Sequence, residues 1–157
     1  MKAASRSLRQ SLAGLVMLGM VGLAPMAAQA GESAVPCDVA HFLADQQGMA
    51  SGEIRGDRLE DVCGTVVHVY GKRRTRSGWH GYFLLQVAPG RVIRIVSDLD
   101  RMNAPAWPWV AEGDHATVRG RYYYDNPHSQ GIDWTHHGTG RNWPTAGYVI
   151  VNGRSYQ

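Results

Sequence analysis

A series of short segments with the alternation of β-strands runs from residue 62 to residue 156 and limits the folds open to this chain. The segments are residues 62–70, 82–87, 91–96, 115–124, 131–135, 148–151 and 154–156. They are rich in β-branched and aromatic residues, and apolar side chains recur at every second position in several of them. Pro89-Gly90 and Asn152-Gly153 supply turn sequences between neighbouring segments. The pattern predicts a mainly β fold.

The order of the segments favours a small barrel. Three consecutive strands, an irregular crossing over residues 99–109, and then further strands is the order of an oligonucleotide/oligosaccharide-binding (OB) barrel. Gly120 lies in the middle of the fourth strand, where a sharp bend lets one strand serve both sides of such a barrel. We predict an OB-like β-barrel of five to six strands over residues 61–157, with a β-sandwich as the alternative.

An N-terminal helix and a connector are predicted before the barrel, within residues 31–60. Apolar residues with helical spacing, Phe42 and Leu43 among them, predict a helix over residues 39–49, and Asp38 is a suitable N-cap. Residues 53–60 are polar and are interpreted as a connector.

The first 30 residues have the features of an export signal. A basic start containing Lys2, Arg6 and Arg9 precedes an apolar stretch over residues 12–23, and Ala28 and Ala30 are the small residues that a signal peptidase reads. The alternative is an uncleaved anchor, but the apolar stretch is shorter than the ~20 residues that spanning needs. We predict cleavage after Ala30, a periplasmic or secreted protein, and no stable membrane span after processing.

The basic character of the chain belongs to this predicted signal. The whole sequence has 16 Lys and Arg against 13 Asp and Glu, and three of the basic residues but none of the acidic ones precede residue 31. The mature chain is therefore balanced at 13 against 13. Net charge gives no argument for a nucleic-acid partner.

Two cysteines remain in the mature chain, Cys37 and Cys63. Because exported proteins meet an oxidising compartment, we predict a disulfide between them. On the chain-entropy model it contributes roughly 3 kcal/mol. The alternative is a reactive or metal-bound thiol pair, although nothing basic or histidine-rich immediately flanks either cysteine.

Cations and aromatic residues concentrate around two predicted strands. Four basic residues follow the first strand within five positions, in the loop that borders the binding face of an OB barrel. Charges hold the backbone of a single strand while rings stack on its bases, so the pattern suits a polyanion such as an oligonucleotide or an anionic oligosaccharide. The alternative is a solvated loop. The residues concerned are Lys72, Arg73, Arg74, Arg76, Trp79, His80, Arg119, Arg121 and Tyr123.

The densest group of chemically active side chains is Trp134-Thr135-His136-His137-Gly138, with Arg141 just beyond. In an extended strand His136 and His137 point to opposite faces, so only a turn, which Gly138 and Gly140 allow, brings both to one pocket. We expect Trp134 to be buried and at least one of these histidines to share a rim pocket with His80 and Arg141. His136, His137 and His80 are candidate ligands for a divalent transition metal; the alternative is that they hydrogen-bond the backbone.

These features favour a ligand-binding or accessory module. The alternative is a metal-dependent hydrolase acting on nucleic acid or another phosphodiester, with Arg141 holding phosphate. No serine lies in a Gly-x-Ser-x-Gly sequence and no phosphate-binding glycine loop occurs, so the sequence marks no nucleophile. Whether the protein is an enzyme is left open.

Several of these motifs together resemble a family of small exported bacterial proteins known only as a domain of unknown function. The resemblance covers roughly residues 64–157 and rests on Gly120-Arg121-Tyr122-Tyr123-Tyr124, on Asp133-Trp134-Thr135-His136-His137, on Gly140-Arg141 and on the ending Gly153-Arg154-Ser155-Tyr156-Gln157. The chain departs from the family pattern at Ser77-Gly78-Trp79-His80-Gly81 and at Ser97-Asp98. The resemblance implies export and fold more than an activity.

Overall fold

The computed structural model describes residues 36–138 and 140–157, so the predicted signal peptide lies outside the described residues. Within them the chain forms one helix and seven strands. The elements are α1 (Val39–Ser51), β1 (Arg58–Thr75), β2 (Gly78–Ala88), β3 (Arg91–Asp98), β4 (His115–Asn126), β5 (Ser129–Asp133), β6 (Tyr148–Val151) and β7 (Arg154–Tyr156). The mainly β fold with an N-terminal helix is confirmed.

Helix α1 is defined by a cap at each end. The Asp38 carboxylate accepts a hydrogen bond of 2.9 Å from the His41 N–H, and Gly52 ends the helix with a φ of 81° that a glycine adopts without strain. Its apolar face places Phe42 against the ring of Tyr122, with the ring centroids 5.0 Å apart. The predicted helix and N-cap are confirmed. Among the described residues there is no helix with the length and apolarity needed to cross a membrane.

The described strands form one sheet in the order β1-β2-β3-β5-β4-β6-β7. β1 also pairs with β4, so β1, β2, β3, β5 and β4 form a closed ring of five. The pairs are antiparallel except for β3 and β5, which run parallel. A sandwich has two separate sheets, whereas these strands share one. The strand number, seven, exceeds the predicted five to six because β6 and β7 extend the sheet beyond the ring.

Strand β1 begins earlier than predicted. Residues 58–60, which were interpreted as a connector, already pair with β4, where Glu60 lies opposite Gly120. Glu60 is only 1% exposed despite its charge. The connector interpretation is therefore wrong at its end, because strand pairing overrides the polar local sequence.

The hydrophobic core lies inside the ring, and the alternation of the strands determines which residues enter it. The fully buried members include Val62, Phe83, Leu85, Ile93, Ile95, Val118, Tyr122, Ile132 and Val149. The inward positions predicted for β2, β3 and β4 are confirmed. A second aromatic group continues the core where Trp109 stacks on Tyr156, with centroids 4.5 Å apart.

A disulfide joins the start of α1 to β1. Cys37 and Cys63 are bonded with their Cα atoms 5.5 Å apart, which confirms the predicted pairing. Next to it, the Asp38 N–H donates to the Asp61 carbonyl at 2.7 Å. Disulfides of this kind are typical of proteins that fold in an oxidising compartment.

Candidate functional site

The outward side of the ring carries a group of aromatic residues around one arginine. Tyr70 and Tyr82 face each other across β1 and β2, Arg94 lies on β3 and Tyr123 on β4. We call these four residues the aromatic face. Tyr70, Tyr82 and Arg94, together with Arg73, line an open cavity of about 270 Å³. The cavity is polar and aromatic, as a site for stacked planar groups requires.

Arg94 is fixed within this face. Its guanidinium donates a hydrogen bond to the Tyr123 hydroxyl and lies 6.0 Å from the centroid of the Tyr123 ring. No carboxylate of the described residues forms an ion pair with Arg94, and its Nε is buried without a hydrogen-bond acceptor there. The positive charge of Arg94 is therefore not neutralised by a protein carboxylate.

The β1–β2 hairpin extends this surface with exposed cations. Lys72, Arg73, Arg74 and Arg76 are all exposed, and we call them the basic hairpin. Within the described part of the chain, none of the four forms an ion pair with a carboxylate. Trp79, 39% exposed, lies across the hairpin, with the Lys72 Nζ 5.2 Å from its ring centroid. The hairpin thus combines unpaired cations with an accessible indole.

Arg119 and Arg121, predicted to bind a polyanion, are instead engaged by carboxylates. Arg119 donates two hydrogen bonds to Asp61, of 2.8 and 2.7 Å, and Arg121 donates two of the same lengths to Asp133. The hydrogen bond from each carboxylate raises the pKa of its arginine further. The expectation of an open anion groove on β4 is corrected, because both charges are already balanced.

The segment after β5 does not continue the strand alternation. β5 ends at Asp133, and Trp134 adopts a φ of 54°, a left-handed conformation that is uncommon for a bulky residue. Thr135 and His136 are therefore both buried, while His137 is exposed. Trp134 is half-buried, not enclosed in the core as predicted, and its indole N–H donates to the Gly138 carbonyl at 3.0 Å.

Trp134 and His136 contribute to a rim pocket of about 250 Å³. His80 and His136 both line this pocket, whereas His137 and Arg141 do not. The other lining residues are Ser77, Val96, Asp98, Arg101, Arg121, Asp133 and Trp134. Burial lowers the pKa of His136, whose Nδ1 has no hydrogen-bond partner among the described residues. A neutral imidazole therefore stands at the base of the pocket.

The predicted metal ligands His80, His136 and His137 do not form a ligand group. Among the described residues, the set of three whose ligand atoms all lie within 4.8 Å of one another is His41, Asp45 and Glu60. The capacity to hold a metal ion therefore lies at α1 and β1, not at the rim pocket.

Sequence reasoning missed this cluster because Glu60 was assigned to a connector. The signal that could have found it is the spacing of His41 and Asp45, which lie four residues apart and thus on one face of α1. Burial raises the pKa of the Glu60 carboxyl to about 7, against the opposing effect of its hydrogen bond to His41. The same hydrogen bond raises the pKa of His41.

No family model matches this chain, and no similar protein was found among curated proteins or solved structures. The resemblance to the exported family stays a prediction. The function is therefore argued from the geometry described above.

Proposed function

We propose that this protein is an exported binding module of OB type whose ligand is a single-stranded polyanion, with an oligonucleotide as the favoured class. The export part of the proposal rests on the features of residues 1–30 and on the disulfide. The binding part rests on the aromatic face and the basic hairpin.

The order of the ring strands supports the OB assignment. Going round the ring, the strands follow β1-β2-β3-β5-β4 and return to β1. The OB fold is a five-stranded Greek-key barrel that binds ligands on its β2–β3 face, between the β1–β2 and β4–β5 loops. Tyr82 on β2 and Arg94 on β3 occupy that face, and the basic hairpin is the β1–β2 loop with its flanking residues.

The observation that carries the proposal is the basic hairpin, whose cations have no carboxylate partner in the described residues while Trp79 and Tyr70 stand exposed beside them. Four exposed positive charges attract phosphates by releasing condensed counterions. Exposed rings supply stacking that tolerates any base, worth about 1–3 kcal/mol for each base. Together they suit a flexible single strand better than a duplex.

The hydrolase alternative has less support. It required His80, His136 and His137 to act as metal ligands, and within the described residues these side chains do not form a group of three at ligand distance. We therefore place binding, without chemistry, ahead of catalysis.

The test is a comparison of two triple variants that change the net charge equally. We expect Arg73→Ala, Arg74→Ala and Arg76→Ala together to weaken binding of a fluorescent oligothymidylate. The slope of log affinity against log salt should fall by up to about 3, roughly one for each lost phosphate contact. The matched control replaces the exposed arginines Arg55, Arg91 and Arg154 by alanine and should keep the slope of the parent protein.

Fluorescence anisotropy across a salt series measures both variants. Loss of binding in both triples to the same extent, or no binding by the parent protein at low salt, would contradict the proposal. A sulfated oligosaccharide is the second probe. If it binds more tightly than the oligonucleotide under the same conditions, the anionic sugar becomes the favoured class.

A further inference from the structure

Helix α1 and strand β1 bring together three side chains that metal ions use as ligands. His41 and Asp45 lie one helical turn apart, and Glu60 reaches them from β1. One ligand atom from each lies within 4.8 Å of the other two, and the His41 Nδ1 is 3.1 Å from the Glu60 Oε2. One imidazole and two carboxylates therefore converge on a single point, on the outer side of the helix–strand contact.

The state of Glu60 is the second, independent observation. Its side chain is 0% exposed, and its Oε1 is buried without a hydrogen-bond partner among the described residues. An unsatisfied buried carboxylate oxygen is costly, since it has left water and gained no donor in return. A cation between Glu60 and Asp45 would remove this cost, whereas the His41 hydrogen bond serves only Oε2.

The backbone around the cluster is fixed before any ion binds. The Cys37–Cys63 disulfide and the 2.7 Å hydrogen bond from Asp38 to Asp61 attach the start of α1 to β1, directly beside His41 and Glu60. Two of the ligand-bearing segments thus keep their separation. Preorganisation of this kind reduces the entropy that ligand ordering costs.

We propose that His41, Asp45 and Glu60 form a binding site for one divalent transition metal ion, with Zn²⁺ as the best match. Zn²⁺ accepts imidazole nitrogen and carboxylate oxygen at ~2.0–2.2 Å, and three protein ligands leave a fourth position for water. The His41 side chain is 56% exposed, so the ion has an entry path and the ring has freedom to turn onto it. The site is separate from the aromatic face and does not depend on the proposed function.

Arg58 competes with the metal. Its Nε lies 3.5 Å from the Asp45 Oδ2, and its side chain is 43% exposed. A bound dication would repel this guanidinium and displace it into water. Removing Arg58 should therefore strengthen metal binding, which a cluster without affinity for cations would not show.

The experiment is calorimetric titration of ZnCl₂ into tag-free protein from which metal has been removed. We expect one Zn²⁺ per chain, and at least about tenfold weaker binding in His41→Ala and in Asp45→Asn. The matched control is His68→Ala, which removes an exposed histidine paired with a single carboxylate, Glu112, at 2.8 Å. That variant should bind Zn²⁺ as the parent does, and Arg58→Ala should bind it severalfold more tightly.

Thermal unfolding with and without Zn²⁺ provides a second readout, because a ligand that binds only the folded state raises the midpoint. The parent and His68→Ala should gain stability, and His41→Ala should not. The proposal is overturned if the parent takes up no stoichiometric Zn²⁺, or if His41→Ala and Asp45→Asn bind it as well as His68→Ala does. Unchanged affinity in Arg58→Ala would overturn the competition with Asp45.

Discussion

Two groups of arginines on the outside of this protein have the same appearance in the sequence and opposite roles in the structure. On β4, Arg119 lies opposite Asp61 and Arg121 lies opposite Asp133 in the strand register. On the basic hairpin, Arg73 lies opposite His80 and Arg74 opposite Trp79. Strand register, which brings a carboxylate to one group and a ring to the other, decides whether an arginine stabilises the fold or stays free for a ligand.

The largest effect that separates the two groups should be on stability. Arg121→Ala removes a two-pronged hydrogen-bonded pair and leaves the Asp133 carboxylate, 24% exposed, without its partner. Hydrogen bonds to charged groups contribute about 1.5–3 kcal/mol, so we expect the free energy of unfolding to fall by about 1–3 kcal/mol. Arg74→Ala should change it by less than about 0.5 kcal/mol. Urea unfolding of both variants measures the difference, and equal losses would contradict the distinction.

A smaller effect is expected when a paired arginine is released. Asp61→Asn keeps the shape of the side chain but removes the charge that holds Arg119. We expect the slope of log oligonucleotide affinity against log salt to steepen by about 1, as for one additional phosphate contact. The control is Asp125→Asn, an exposed carboxylate whose charge no arginine of the described residues engages. If both variants steepen the slope equally, the change reflects net charge and not the release of Arg119.

The smallest expected effect is the pH dependence that His136 contributes next to Arg121. Because burial lowers its pKa in the folded state, the unfolded chain binds more protons than the folded protein once the pH falls below the ordinary value of 6.5. Stability should therefore decrease as the pH falls from there through the lowered pKa. His136→Gln should lose this part of the decrease, whereas His137→Gln, at an exposed position, should retain it. Unfolding measured from about pH 8 to about pH 5 distinguishes them; identical profiles for parent and His136→Gln would contradict the assignment.

Local signals were sufficient to predict the elements of the fold. Alternation placed Phe83 and Leu85 inside and Arg119 outside, and Asp38 marked the start of the helix. These properties depend on neighbours within a few residues in the chain. The disulfide between Cys37 and Cys63 was predictable because only one pairing was possible.

The features that failed prediction depend on partners distant in the chain. Glu60 is buried because β4 and α1 cover it, and its polar neighbours in the sequence suggested a connector. The left-handed backbone of Trp134 ends the alternation one residue after β5, so the faces assigned to Trp134 and His136 could not be obtained from periodicity. The neutralisation of Arg121 required the register between β4 and β5.

The ring is joined unevenly, and this gives it a preferred place to open. β1 and β4 pair along eight residue positions, whereas β3 and β5 meet in parallel through the single pair Ile95 and Ile132. Arg94 and Tyr123, linked by their hydrogen bond, span the outside of that narrow junction. Local opening follows the weakest interactions first, so amide protons around Ile95 and Ile132 should exchange with solvent before those between β1 and β4. A ligand that holds Arg94 and Tyr123 together would act as a clasp across this junction and slow that exchange.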